Sequence, residues 1–84
     1  MYDNFEKDGF LWEIDTEKDE HPRADGVVKK KKIFNDDRIT AIFKANKRVT
    51  VIDLENGTYE VDSGDIVVIV DNKELNSFVK SRYI

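Results

Sequence analysis

The chain has no cysteine, so no disulfide framework holds it and no thiolate ligates a metal. It has one histidine, His21, which excludes a two-histidine zinc site and any mechanism that needs two imidazoles. No apolar run approaches the roughly 18 residues of a membrane-spanning helix. There is no Gly-rich phosphate loop, no nucleophile elbow and no internal repeat. The first 20 residues carry eight acids, the opposite of a secretory or transit leader, so the expected protein is soluble, intracellular and cytoplasmic. Eighty-four residues suffice for a single domain, 1–84, and nine aromatics are too many for a disordered chain.

What the chain does have is charge sorted by segment. Residues 1–20 have a net charge of −6, residues 21–50 of +6 and residues 51–84 of −4, which together give −4. The overall acidity argues against a nucleic-acid partner, and the middle third argues for one. Pairing of acidic and basic segments within one fold is the alternative, and exposed pairs contribute only about 0–1 kcal/mol each.

Residues 1–9 read as an N-terminal helical turn closed by Gly9, with Tyr2 and Phe5 three apart. Residues 10–15 alternate, with Phe10, Trp12 and Ile14 on one face, and predict a strand. Residues 16–26 hold the only proline and end in Asp25-Gly26, which predicts a flexible acidic loop. Strands are expected at Val27–Phe34, Arg38–Lys44, Arg48–Leu54, Thr58–Asp62 and Ile66–Val70. The fourth follows an Asn56-Gly57 type I′ hairpin, and the fifth is a continuous apolar run that suggests burial on both faces. Residues 72–83 read as a helix capped by Asp71, with Glu74 as the reciprocal partner and Leu75, Phe78, Val79 and Tyr83 as an apolar stripe packed on the sheet.

The stretch from Arg48 to Ile69 resembles the closing part of a small SH3-like barrel of the Tudor or KOW kind: strand, acidic-glycine turn, a strand with Tyr59-x-Val61 alternation, a one-turn corner and a last short strand. The resemblance spans about residues 27–70. It implies a mainly β (α+β) fold: a five-stranded antiparallel SH3-like barrel with an extra N-terminal strand and a short C-terminal helix. It also implies a binding module for proteins or nucleic acids. Phe34, Phe43 and Tyr59 are the aromatics available for a Tudor-type cage, and core is their simpler reading. In overall style (short, cysteine-free, rich in Lys, Asp, Asn and Ile) the chain also resembles a small phage early protein of the host-takeover kind.

Lys29-Lys30-Lys31-Lys32 is the most specific chemical feature. Inside a strand it would send two lysines to each face, so it must be an exposed edge or a ribbon turned toward an anion. With Arg23, Arg38, Lys44, Lys47 and Arg48 it makes a candidate basic surface for RNA or a nucleic-acid-associated host protein. The alternative is a pure protein–protein inhibitor that docks through the exposed strand edge or the C-terminal helix. A core this small predicts modest stability or homodimerisation through that strand.

Catalysis finds no support. His21 has no serine or cysteine near it in sequence, and an RNase-like grouping of His21 with Arg23 and Lys29 is the one arrangement worth weighing. Asp15–Glu20 starts like a calcium loop but lacks the glycine and the closing acid. The expectation is a non-enzyme with no catalytic residues, no metal, no cofactor, no small-molecule substrate and no membrane partner.

Overall fold

The computed structural model describes residues 2–15, 17, 18 and 20–83. Among the described residues, nine strands and one helix follow in order: β1 Tyr2–Lys7, β2 Phe10–Asp15, β3 Arg23–Val28, β4 Lys32–Asn35, β5 Thr40–Phe43, β6 Arg48–Asp53, β7 Thr58–Asp62, β8 Val67–Asp71, α1 Asn72–Phe78 and β9 Val79–Ser81. The main antiparallel sheet runs β1-β2-β3-β6-β7-β8, with β9 also paired to β3. β4 and β5 form a separate hairpin. Among the described residues the fold is mainly β with one short C-terminal helix, and the hydrogen-bonded path does not close into a barrel.

β3 organises the sheet. One of its edges is covered along its length by β6. The other edge is shared: β2 pairs with Arg23 and Ala24, and β9 with Gly26, Val27 and Val28. Two strands converge on one edge only if the side chains between them are small. Gly26 supplies this, because a Cβ there would lie 2.7 Å from Val79 Cγ1 and 3.3 Å from the Lys80 carbonyl oxygen. The inner face carries Phe10, Trp12, Ala24, Val28, Val49, Val51, Tyr59, Val61 and Val70, all buried. Leu75 and Phe78 of α1 close over it, and Phe34, Phe43 and Phe78 form an edge-to-face trio with centroids 5.5–5.8 Å apart. The β4–β5 hairpin therefore lies over the inner face, and the core sits between hairpin and sheet.

Several expectations need correction. Residues 1–9 are not a helical turn: β1 pairs residue for residue with β2, and Asp8 and Gly9 take φ 55° and 83°, the positive values a two-residue hairpin turn requires. Residues 16–26 are not wholly loop, since Arg23–Gly26 lie within β3; Thr16 and Asp19 fall outside the described residues. The strand expected at Val27–Phe34 is two strands with the first three lysines between them. Asn56-Gly57 is part of a longer loop in which Glu55 and Gly57, not Asn56, have positive φ. The last apolar run is not buried on both faces: Val67 is 47% exposed and Ile69 65%. The helix ends at Phe78 because Val79–Ser81 pair with the edge of β3 that β2 leaves open. Tyr83, expected in the helix stripe, is exposed. The Asp71 cap holds, with Oδ1 accepting the Glu74 N–H at 2.7 Å.

Candidate docking surface

The nine basic residues do not form one surface. Arg23 begins β3 on its outer face, opposite Glu13 of β2, in a cleft of about 330 Å³ whose lining includes Glu13, Asp15, Glu20, His21 and Asp25. Arg48 lies on the same face in a second depression with Asp25, Asp62 and Arg82. Both arginines sit among carboxylates. Arg23 and Lys29 are separated by the length of β3, about 20 Å at ~3.3 Å per residue, so the grouping of His21, Arg23 and Lys29 is not formed. His21 Nδ1 instead lies 3.4 Å from Glu55 Oε2.

Two of the four consecutive lysines hold the helix. Lys29 Nζ donates to the Asn76 carbonyl at 2.6 Å, and its backbone N–H donates to the Phe78 carbonyl at 2.7 Å. A cation on the last turn of a helix satisfies carbonyls that have no partner inside it and complements its dipole. Lys32 Nζ lies 3.0 Å from Glu74 Oε1 and 5.5 Å from the Phe34 ring centroid. Glu74 is thereby engaged by Lys32. The sequence alone missed these roles because both partners lie more than 40 residues away.

The remaining lysines gather at one end. The Val28 N–H donates to the Lys47 carbonyl at 2.9 Å, and the Asn46 N–H to the Val28 carbonyl at 2.8 Å. Lys44 and Lys47 are the ends of a turn closed by a 3.2 Å bond from the Lys47 N–H to the Lys44 carbonyl, with Asn46 at φ 69°. The connection from β3 to β4 and the turn from β5 to β6 thus lie side by side. They present Lys30, Lys31, Lys44 and Lys47, all exposed and none in an ion pair among the described residues. Arg38 is exposed at the far tip of the β4–β5 hairpin.

That hairpin also has an apolar outer side. Ile33 and Ile42 are direct cross-strand partners, 46% and 50% exposed, and Ile39 in the turn is 59% exposed. The aromatic-cage residues are core: Phe43 and Tyr59 are buried, Phe34 packs against the core, and Tyr59 lies 5.8 Å from Trp12 rather than beside the phenylalanines. The apolar stripe of the helix faces the core, with Leu75 and Phe78 fully buried.

A separate polar cluster fixes the N-terminal hairpin. Lys7 Nζ donates to Asp53 Oδ2 at 2.8 Å, across two intervening strands, and lies 5.9 Å from the Trp12 ring centroid. The Trp12 indole N–H donates to the Lys7 carbonyl at 2.9 Å, and Asp53 Oδ1 accepts the Glu55 N–H at 2.8 Å. The hydrogen bond to Asp53 holds the Lys7 pKa above the ordinary lysine value.

Comparison with protein-family models, curated proteins and solved structures gives no match to this chain.

Proposed function

We propose that the chain is a non-enzymatic, SH3-like binding module that docks through its basic end onto RNA or a nucleic-acid-associated protein and blocks or redirects it. The SH3-like reading is supported by the run β3-β6-β7-β8, followed by one short helix and a short last strand that returns to β3. Occupancy of one host factor suits a small phage-type protein working in the host cytoplasm. The observation that carries the reading is the meeting of Lys30, Lys31, Lys44 and Lys47 at one end, with no acidic partner among the described residues. Lysines so placed contact phosphates without special geometry and steer association by charge.

Titration with labelled single-stranded RNA and duplex DNA over a salt series tests this. The log of the binding constant should fall with log salt by about 0.7 per phosphate neutralised on single strands, or about 0.9 on duplex. With Lys30, Lys31, Lys44 and Lys47 as the contact set, neutralising all four to Gln should remove about three units of slope, since each contact contributes about 0.7–0.9. Absence of binding to either polymer at low salt would rule out direct nucleic-acid binding. A second reading, a protein–protein inhibitor that docks on a strand edge, is favoured by Val67 and Ile69 standing exposed on β8, the last strand of the sheet path.

A further inference from the structure

Two exposed apolar strips on this molecule carry opposite charge. On the β4–β5 hairpin, the Ile33–Ile42 pair and Ile39 are bounded by Lys31 and Lys44 at the base and Arg38 at the tip. Lys31 and Lys44 flank the strands directly, one residue before β4 and one after β5, and both are exposed. On the main sheet, Val67 and Ile69 of β8 stand opposite Asp62 and Glu60 of β7, with Asp71 two residues beyond Ile69 and Asp65 in the connecting turn. The segments that build the two strips are equal and opposite. Residues 29–48 hold eight bases and two acids, for +6, and residues 49–72 hold six acids and no base, for −6.

The strips cannot meet within one chain. The hairpin packs its inner side, Phe34, Ala41 and Phe43, onto the core, while Val67 and Ile69 lie on the outer face of the sheet, so the core separates them. Each strip is bordered by open strand edges: among the described residues β8 pairs only with β7, and β4 and β5 pair only with each other. We infer that the chain binds a second copy of itself head to tail, the basic isoleucine strip of one protomer on the acidic β7–β8 strip of the next. A two-fold arrangement joining like strips would oppose like charges. Matching unlike strips removes the exposed isoleucines and valine from water and pairs lysines with carboxylates. Such a heterologous contact leaves one strip free at each end, so it extends into chains or closes into a ring. The inference stands apart from the proposed function, since it is read without nucleic acid and the acidic strip has no role in that reading.

Sedimentation velocity from micromolar to millimolar protein at low salt tests it. Average mass should rise with concentration and fall back toward the monomer as salt screens the strips. Lys31→Glu with Lys44→Glu should be monomeric, and so should Glu60→Lys with Asp65→Lys, each keeping the wild-type far-UV spectrum. An equimolar mixture of the two should associate again, from the dimer upward, because the intact basic strip of one meets the intact acidic strip of the other and the two reversed strips carry opposite charge as well. The Glu60→Lys, Asp65→Lys variant keeps the basic end, so loss of its self-association with retained RNA binding separates this inference from the proposed function. A wild type that stays monomeric throughout, variants that associate like wild type, or a mixture that yields no dimer would each overturn the inference.

Discussion

Gly26→Ala tests the junction on which the fold depends. The residue pairs with Val49 of β6 on one side and Ser81 of β9 on the other, and an added methyl would sit 2.7 Å from Val79 Cγ1, 3.3 Å from the Lys80 carbonyl oxygen and 3.4 Å from Val49 Cγ2. Val79 is buried and branched at Cβ, so it has little freedom to withdraw. Overpacking of this kind costs about 1–3 kcal/mol. The backbone at Gly26 does not require positive φ, so alanine also returns about 0.4–1 kcal/mol through the unfolded chain. The net expectation is a loss of about 1–2 kcal/mol, which lowers Tm by roughly 5–15 °C in a domain of this size. Thermal and urea unfolding of Gly26→Ala, Val79→Ala and the double variant provide the assay. Because Val79→Ala removes the atom nearest the clash, the double variant should be more stable than the sum of the singles by about 1 kcal/mol. Additive effects, or a Gly26→Ala protein with unchanged or higher Tm, would refute the close approach of β9 to β3.

Other expectations follow from single contacts. Asp71→Ala removes the acceptor for the Glu74 N–H and should cost about 1 kcal/mol in urea unfolding, whereas Asp71→Asn should cost much less. Lys7 has a raised pKa in the folded state, so its contribution is fully present below the unfolded lysine value of about 10.4 and is lost as pH rises through the folded value. The stability gap between wild type and Lys7→Met should therefore be constant from neutral pH up to the onset of lysine titration and close above it; because Lys7 is half-exposed, solvent screening keeps the ammonium's contribution within about 1 kcal/mol. A gap that persists at the highest pH at which the protein stays folded would assign the effect to packing of the lysine stem. Lys29→Met removes the cation from the end of α1 and should destabilise more than Lys30→Met, which has no partner among the described residues.

Strands whose alternation is strong, and whose partners are near in sequence, were legible. β2 and β7 match their expected bounds, and β6 ends one residue early. In β6 and β7 throughout, and in β2 as far as Glu13, period-two burial is imposed on the chain by a face that packs and a face that does not, whereas at the end of β2 Asp15 is buried and Ile14 only half-buried. The Asp71 cap was legible because it is a contact across three residues. β3 was not, since Arg23-Ala-Asp-Gly has turn composition; its inward positions, Ala24 and Gly26, are small because two strands crowd one edge there. Nor was the end of the helix. Leu75, Phe78 and Val79 fit a helical period, and it is the unfilled edge of β3 that draws Val79 into a strand.

The candidate site divides in the same way. Charge segregation belongs to the sequence: where the bases and acids lie along the chain sets the sign of each segment in any fold. What each base does was decided by tertiary structure alone. Lys29 and Lys32 serve the helix, Arg23 and Arg48 sit among carboxylates, and the segments of Lys30, Lys31, Lys44 and Lys47 meet because Val28 bonds the backbone of Asn46 and Lys47 just beyond the end of the β3–β6 ladder. A lysine's reach is a few ångströms, so its partner depends on which distant segment the sheet brings alongside, and that depends on the pairing of the whole chain.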